Sequence, residues 1–233
     1  MRKKLKTIKF FTGVFCIIVL CSVWYSGTTT NGTKQMSHLV VIDAGHGLPD
    51  GGATGKSGVP ESEINLKVSK IVEKELNKAG VDTLMTREGE QGLCDDNDNS
   101  VRSKKREDLK NRVKIINESG ARLAVSIHMN YFGDSQYSGP QLFIKKESNE
   151  SRKAALCIKN SIISDIGEHC TREIKETTDN IYIIRNSEIP IVLAECGFLS
   201  NREEEKLLIT DEYCEKMGKA IAKGIISYLS DNT

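Results

Sequence analysis

The sequence of 233 residues is poor in the features that mark several classes of protein. It has only four prolines and no low-complexity tract, which excludes a chain that is disordered throughout. Its seven cysteines are widely spaced and form neither a disulfide framework nor a CxxC site. The net charge is only +1, and six of the 33 basic residues but no acidic residue precede Asp43. The rest of the chain is therefore mildly acidic, which argues against a nucleic-acid-binding protein.

The amino-terminal 25 residues have the pattern of a secretory signal or membrane anchor. Basic residues within positions 2–9 precede an uncharged apolar run from Phe10 to Tyr25. No small-residue cleavage site follows Tyr25, so an uncleaved anchor and a cleaved signal both stay open. We predict an anchor over 1–25, a polar linker over 26–37 and a folded domain over 38–233. The folded domain is expected on the outer side of the cytoplasmic membrane, secreted or tethered there.

Within residues 38–233, apolar runs of strand length alternate with amphipathic segments of helix length. Strands are predicted at Leu39–Ile42, Val81–Thr86, Ala121–Asn130, Gln141–Ile144, Ile181–Ile184 and Ile191–Glu195. Helices are predicted at Glu61–Ala79, Arg106–Glu118, Glu150–Ile166, Arg202–Ile209 and Glu212–Leu229. This alternation predicts an α/β fold, a single three-layer domain with a mostly parallel or mixed central sheet flanked by helices.

Three chemically active side chains lie at the carboxyl ends of predicted strands. His46 follows the first strand, His128 is near the end of the third, and Glu195 closes the last. Ligands of open α/β sheets bind at this edge, so parallel strands would bring the three side chains together.

The helix that begins after Pro60 supplies a fourth candidate group. Its apolar stripe is centred within ~20° of Glu61, whereas Glu63 lies ~200° away around the helix axis. Glu61 is therefore expected to face the core, where a carboxylate is costly unless it is paired or bound to a metal. Two neutral imidazoles with a cation between them would supply that partner.

Two histidines and one glutamate, with a fourth position left to water, form a catalytic zinc arrangement. His46, Glu61 and His128 are thus the candidate Zn²⁺ ligands, and Glu195 is the candidate acid/base that moves the water's proton to a leaving nitrogen. This constellation predicts amide hydrolysis. Each member also has a purely structural explanation, such as a turn histidine, a favourable helix-terminus charge for Glu61, or an ion pair between Glu195 and Arg185.

Other candidates are weaker. The remaining histidines, His38 and His169, lie in polar surroundings and are expected to be solvated. The segment Gly51–Ser57 resembles a phosphate-binding loop but lacks its first glycine, because position 50 is Asp50, so nucleotide binding is not predicted. Most cysteines of the folded part are expected to be buried as small apolar residues.

Four segments resemble a known family: VVIDAGHG, PESEINL, SIHMN and PIVLAECGFLSN match, in order and spacing, the motifs of the type-3 zinc N-acetylmuramoyl-L-alanine amidases. The resemblance covers about Leu39 to Leu229. It implies zinc held by His46, Glu61 and His128 and an acid/base at Glu195. The substrate it implies is peptidoglycan, cleaved at the amide between N-acetylmuramic acid and the L-alanine of the stem peptide.

The short folded part, the signal-like start and the lack of wall-binding repeats resemble the germination-specific, sporulation-expressed branch of this family. That branch removes stem peptides as muramic-δ-lactam forms in the spore cortex. Two alternatives stay open, a zinc carboxypeptidase acting within the peptide and a catalytically silent wall-binding module.

The resemblance also bears on regulation. Family members that are held inactive carry a long insertion between the last zinc histidine and the catalytic glutamate. Here Glu195 follows His128 by 67 positions, with room for little beyond one strand and one helix. No built-in blocking helix is predicted, and control is expected from expression, a regulatory protein partner or metal supply.

Overall fold

The computed structural model describes residues 38–95, 100–167, 172–177 and 180–231. These described residues belong to one structural unit. The anchor predicted over 1–25 and the linker predicted over 26–37 lie outside the described residues. Among the helices that are described, none combines the length and apolar character that crossing a membrane requires.

Six strands form one mixed sheet. They are β1 (Val40–Ala44), β2 (Thr83–Met85), β3 (Leu123–Asn130), β4 (Gln141–Lys145), β5 (Lys175–Thr177) and β6 (Ile191–Phe198). Their order across the sheet is β2-β1-β3-β6-β4-β5. The first four strands in this order are mutually parallel, whereas β4 is antiparallel to β6 and parallel to β5. The carboxyl ends of β1, β3 and β6 therefore meet at one edge of the sheet.

Helices cover both faces of the sheet. They are α1 (Glu61–Lys78), α2 (Val101–Glu118), α3 (Asn149–Ile166), α4 (Tyr182–Asn186), α5 (Arg202–Leu208) and α6 (Asp211–Ser230). The larger hydrophobic core lies between the sheet and helices α1, α3 and α6, and a smaller core lies beneath α2 and α4. The predicted three-layer α/β fold is confirmed.

Strand β1 shows how the sequence divides the two cores. All five of its residues are buried, as expected for a parallel strand covered on both faces. Val40 and Ile42 enter the larger core, and Val41 between them enters the smaller one. This alternation fixes the register of β1, because a shift by one residue would exchange its two faces.

The strand predicted at Ile181–Ile184 is wrong, because the structure has the short helix α4 there. Ile183 and Ile184 are adjacent and both buried in the smaller core, which a strand cannot achieve because neighbouring side chains point to opposite faces. One helical turn directs both inward. The Asn117 side chain donates to the Asn186 carbonyl (3.0 Å) and fixes the end of this turn against α2.

Strand β5 is not predicted from the sequence. Its residues Lys175, Glu176 and Thr177 are polar and only pair with the edge of β4, so no apolar alternation marks them. The interval between His128 and Glu195 therefore holds two strands and two helices besides the ends of β3 and β6. Helix α3 within it packs against α6 and β4 as part of the three-layer core.

The cysteines only partly follow expectation. Cys196 and Cys214 are buried in the larger core, as predicted. Cys94 and Cys157 are half-buried, and Cys170 lies outside the described residues.

Candidate metal centre

Three side chains converge at the carboxyl edge of the sheet. Ligand atoms of His46, Glu61 and His128 all lie within 4.8 Å of one another. His46 Nε2 is 3.3 Å from Glu61 Oε2, and His128 Nδ1 is 3.0 Å from Glu61 Oε1. The two imidazole rings meet edge to face with centroids 5.0 Å apart. The juxtaposition expected from the strand ends and from the inward face of α1 is therefore present.

Glu61 lies at the centre of this group and is 3% exposed. Its Oε1 also accepts hydrogen bonds from the backbone of Met129 (3.1 Å) and the amide of Asn65 (3.2 Å), and Oε2 accepts one from the backbone of Ala53 (3.0 Å). Burial alone would raise the pKa of Glu61, but hydrogen bonds from the two histidines hold it well below its usual range. The carboxylate is therefore ionised and fixed in position.

The site attracts positive charge. Burial lowers the pKa of His46, but the carboxylates of Asp50 and Glu61 outweigh burial and raise it to about 9. The donor set itself, two imidazole nitrogens and a carboxylate oxygen, suits a divalent transition metal. The residues present therefore fit a metal ion.

Asp50 orients His46 and is not among the residues predicted from the sequence. Its Oδ2 lies 3.0 Å from His46 Nδ1 and 2.9 Å from Lys105 Nζ. A carboxylate on the far nitrogen of a metal-binding histidine fixes the tautomer and the ring orientation. An acidic residue four positions after His46, in the same turn, is the signal that could have identified it.

Two glycines give the ligands room. A Cβ on Gly45 would lie 2.3 Å from His128 Cε1 and Nε2. A Cβ on Gly52 would lie 2.5 Å from Glu61 Oε2, and the φ of Gly52 is +72°. The glycine-rich loop that resembles a phosphate-binding loop thus packs against the ligands, and helix α1 begins only at Glu61.

His46 has an unusual backbone conformation for a residue with a side chain. Its φ is 59°, in the left-handed region that costs a non-glycine residue about 1–2 kcal/mol. Arg112 donates to the carbonyl oxygen of His46, and it also donates to the carbonyl of Ala44 at 2.7 Å. Arg87 donates to the carbonyls of Ala44 (2.8 Å) and Gly45 (3.0 Å). Two buried guanidinium groups therefore hold the turn in this conformation.

A buried ion pair anchors this arrangement beneath the turn. Arg112 and Asp43 are each 1% exposed, and their Nη1 and Oδ1 atoms are 2.7 Å apart. Burial would raise the pKa of Asp43, but Arg112 and hydrogen bonds from Ser126 and Thr86 lower it. Arg112 also pairs with Asp108 at 2.6 Å. The charge of Arg112 is therefore fully compensated.

Glu195 is beside this group of three side chains. It is the register partner of His128 on the adjacent parallel strand. Its Oε2 is buried and has no hydrogen-bond partner within the described residues. Burial, reinforced by the charge of Glu61, raises the pKa of Glu195 to about 7, against the opposing effect of both histidines. The alternative ion pair with Arg185 is absent, since Glu195 has no salt bridge in the described part of the chain.

The other two histidines take no part in this group. His38 is exposed at the start of the described residues, as predicted, and His169 lies outside them.

Known proteins are similar to this chain in sequence. A family model described as N-acetylmuramoyl-L-alanine amidase matches residues 40–227. The germination-specific N-acetylmuramoyl-L-alanine amidase of Bacillus subtilis (strain 168) is 36% identical over 236 residues, which are 99% of this chain and 98% of that protein.

Solved structures are similar as well. The CwlD amidase from Clostridioides difficile, solved in complex with the GerS lipoprotein, has a TM-score of 0.80 and 39% identity over 83% of this chain and 98% of that one. The catalytic domain of CwlV from Bacillus (Paenibacillus) polymyxa var. colistinus has a TM-score of 0.70 and 31% identity over 82% of this chain and 98% of that one.

Proposed function

The chain belongs to the N-acetylmuramoyl-L-alanine amidase family, and from that membership we propose how its metal centre works and where it acts. The enzyme hydrolyses the amide bond between N-acetylmuramic acid and L-alanine in peptidoglycan. The zinc carboxypeptidase and the silent wall-binding module are not favoured, because the family model and the similar proteins named above are amidases.

The proposed cofactor is Zn²⁺, held by His46, Glu61 and His128. The observation that carries this proposal is the convergence of their ligand atoms within 4.8 Å. Catalytic zinc sites use this set of two imidazoles and one carboxylate. When bound, zinc supplies Lewis-acid polarisation of the scissile carbonyl and makes water more acidic.

Glu195 is the proposed catalytic acid/base. A carboxyl group with a pKa of about 7 can accept and release a proton at neutral pH. Its Oε2, which has no other partner in the described structure, would take the proton of the attacking water and deliver it to the nitrogen of L-alanine. Protonation of that nitrogen lets the stem peptide leave as a free amine.

Asp50, Arg87 and Arg112 are proposed to position His46 rather than to touch the substrate. Asp50 holds the imidazole, and the two arginines hold the backbone turn that carries it. Their interactions would hold the imidazole ring and its turn in place before a metal binds.

The proposed biological role is removal of stem peptides during spore cortex formation, which precedes formation of muramic-δ-lactam. Similarity over nearly the full length to a germination-specific amidase supports this role. Peptidoglycan lies outside the cytoplasmic membrane, so the catalytic domain acts there.

Tethering and partnership are further parts of the proposal. Residues 1–25 would hold the enzyme at the outer face of the membrane, with residues 26–37 as the linker. A protein partner is also proposed, because the similar CwlD amidase forms a complex with a lipoprotein.

A digest of purified peptidoglycan with the full chain, followed by mass spectrometry and metal analysis, tests the proposal. Peptides that begin with free L-alanine, together with one equivalent of zinc, are expected. Release of terminal amino acids would identify a carboxypeptidase, and binding without hydrolysis would identify a wall-binding module.

A further inference from the structure

A groove of about 290 Å³ opens at the sheet edge beside the metal centre. Residues from β3, β4, β5 and β6 and from the segments before β4 and β5 line it, including Asn130, Phe132, Tyr137, Arg172, Lys175 and Phe198. None of these residues belongs to the proposed catalytic machinery.

The groove begins a short, defined distance from the metal centre. Asn130 is two residues beyond His128 on β3, and Phe198 is its register partner. Two residues of a strand span ~6.6 Å, which is also about the length of two residues of an extended peptide. A stem peptide that has its first amide between His128 and Glu195 and runs along β3 toward Asn130 would bring its second residue to the groove.

Arg172 is held at the groove by aromatic rings. Its guanidinium carbon lies 4.8 Å from the ring centroid of Phe198 and 5.4 Å from that of Tyr137. Its Nε donates to the carbonyl of Ser138 at 2.8 Å. No described residue accepts a hydrogen bond from the two terminal nitrogens. A stacked guanidinium suits a carboxylate, because its two terminal nitrogens can donate parallel hydrogen bonds to the two carboxylate oxygens.

The charge around the groove is positive. Lys175 adds a second cation, 5.9 Å above the ring of Phe143. No acidic residue is among the described residues that line the groove. Glu173, between the two cations in sequence, pairs with Lys159 at 3.4 Å, and Glu176 pairs with Arg152.

Aromatic side chains at the rim are exposed rather than packed. Phe132 is 54% exposed and Tyr137 is 39% exposed, and their rings meet edge to face at 5.1 Å. Exposed aromatic residues grouped around a concave surface are typical of a binding site.

We propose that this groove binds a free carboxylate on the second stem-peptide residue, and that Arg172 and Lys175 make the enzyme prefer an acidic stem peptide. This inference rests on the proposed amidase function and specifies its substrate. The ligand is identified by charge complementarity, because the groove has two cations and no carboxylate among its described lining residues. The groove also lies at the distance from the metal centre that the second residue of the peptide would reach.

Two synthetic muropeptides test the proposal, one with a free α-carboxylate on the second residue and one with that carboxylate amidated. The full-length zinc enzyme is expected to cleave the muropeptide with the free carboxylate with a kcat/KM about tenfold higher than the amidated one. A factor of this size is what one charge-assisted hydrogen bond provides. Arg172→Gln should bring the ratio of the two kcat/KM values close to one, and Arg172→Lys should retain part of the preference. The preference should also weaken as salt is added.

Controls separate specificity from folding and from activity itself. Lys216→Gln, an exposed substitution on α6, should leave the ratio unchanged. Lys175→Gln, at an exposed strand edge, gives a second measurement of the ratio should Arg172→Gln impair folding, as judged by its thermal midpoint. Equal cleavage of both muropeptides by the unmodified enzyme overturns the inference. An equal loss of kcat/KM for both muropeptides in Arg172→Gln also overturns it, and would indicate that a glycan occupies the groove. Failure to cleave either muropeptide would instead count against the proposed function.

Discussion

His46 and Asp50 are linked side chain to side chain, with Nδ1 of the imidazole 3.0 Å from Oδ2 of the carboxylate. The bond spans only four residues of one turn, yet it orients the ring whose other nitrogen faces Glu61. Lys105 pairs with the same carboxylate oxygen at 2.9 Å, so the aspartate is itself held in place from α2.

Asp50→Asn should weaken zinc binding about 10- to 100-fold, the usual cost of losing a carboxylate behind a histidine ligand. Competition with a chromogenic chelator measures the affinity. Asp231→Asn, an exposed change after α6, is the matched control and should leave affinity unchanged. Equal affinities in the two variants would contradict the positioning role of Asp50.

Glu195→Gln should lower kcat by at least about 10²-fold, since the amide cannot accept the proton. Zinc content should stay at the unmodified level, because Glu195 is not a proposed ligand. Peptide release from peptidoglycan and metal analysis of the same sample measure both quantities. Glu147→Gln, at a side chain that is 83% exposed, should be fully active, and a fully active Glu195→Gln would exclude the assigned proton transfer.

Gly45→Ala should reduce zinc affinity about tenfold or more. The added methyl group would occupy space 2.3 Å from the His128 ring and displace the imidazole. Gly89→Ala is the control, because a Cβ there meets no atom within 4 Å. Chelator competition on both proteins provides the measurement, and unchanged affinity in Gly45→Ala would show that the ring has freedom to move.

Arg112→Met should lower the free energy of unfolding by about 3–5 kcal/mol, because it leaves the buried Asp43 carboxylate without its cation. Urea unfolding measures this change. Arg106→Met, on the exposed side of the same helix, should alter stability by less than about 0.5 kcal/mol. A loss of similar size in both variants would argue that Arg112 contributes through helix propensity alone.

The approach of the four proposed site residues to one another could be predicted because each depends on local pattern. His46, His128 and Glu195 are at strand ends, and parallel strands bring their carboxyl ends to one edge. Glu61 was distinguishable from Glu63 by helix periodicity alone, and Glu61 is indeed buried whereas Glu63 is exposed. The family and the fold are confirmed, while the assigned roles of these residues stay predictions.

The structural features that the sequence did not predict depend on contacts between distant segments or have only weak local signals. Arg112 pairs with Asp43, which is 69 positions away in the sequence, and hydrophobic periodicity cannot predict a pair of this kind. The short apolar run in α4 is equally compatible with a strand. Packing against α2 and the smaller core favours a helical turn there. Strand β5 is polar on both faces because it is at the sheet edge, so hydrophobic alternation could not reveal it.

The reversal of strand direction between β6 and β4 has a consequence for the evolution of this enzyme. It brings the start of β4 alongside the ends of β3 and β6, so that the candidate metal centre and the proposed carboxylate groove share one rim of the domain. The turns at the far rim, such as the one at Gly120 before β3, contribute none of the described residues of either site. If the groove selects the peptide as proposed, those turns can change in sequence and length without altering which peptides are cut.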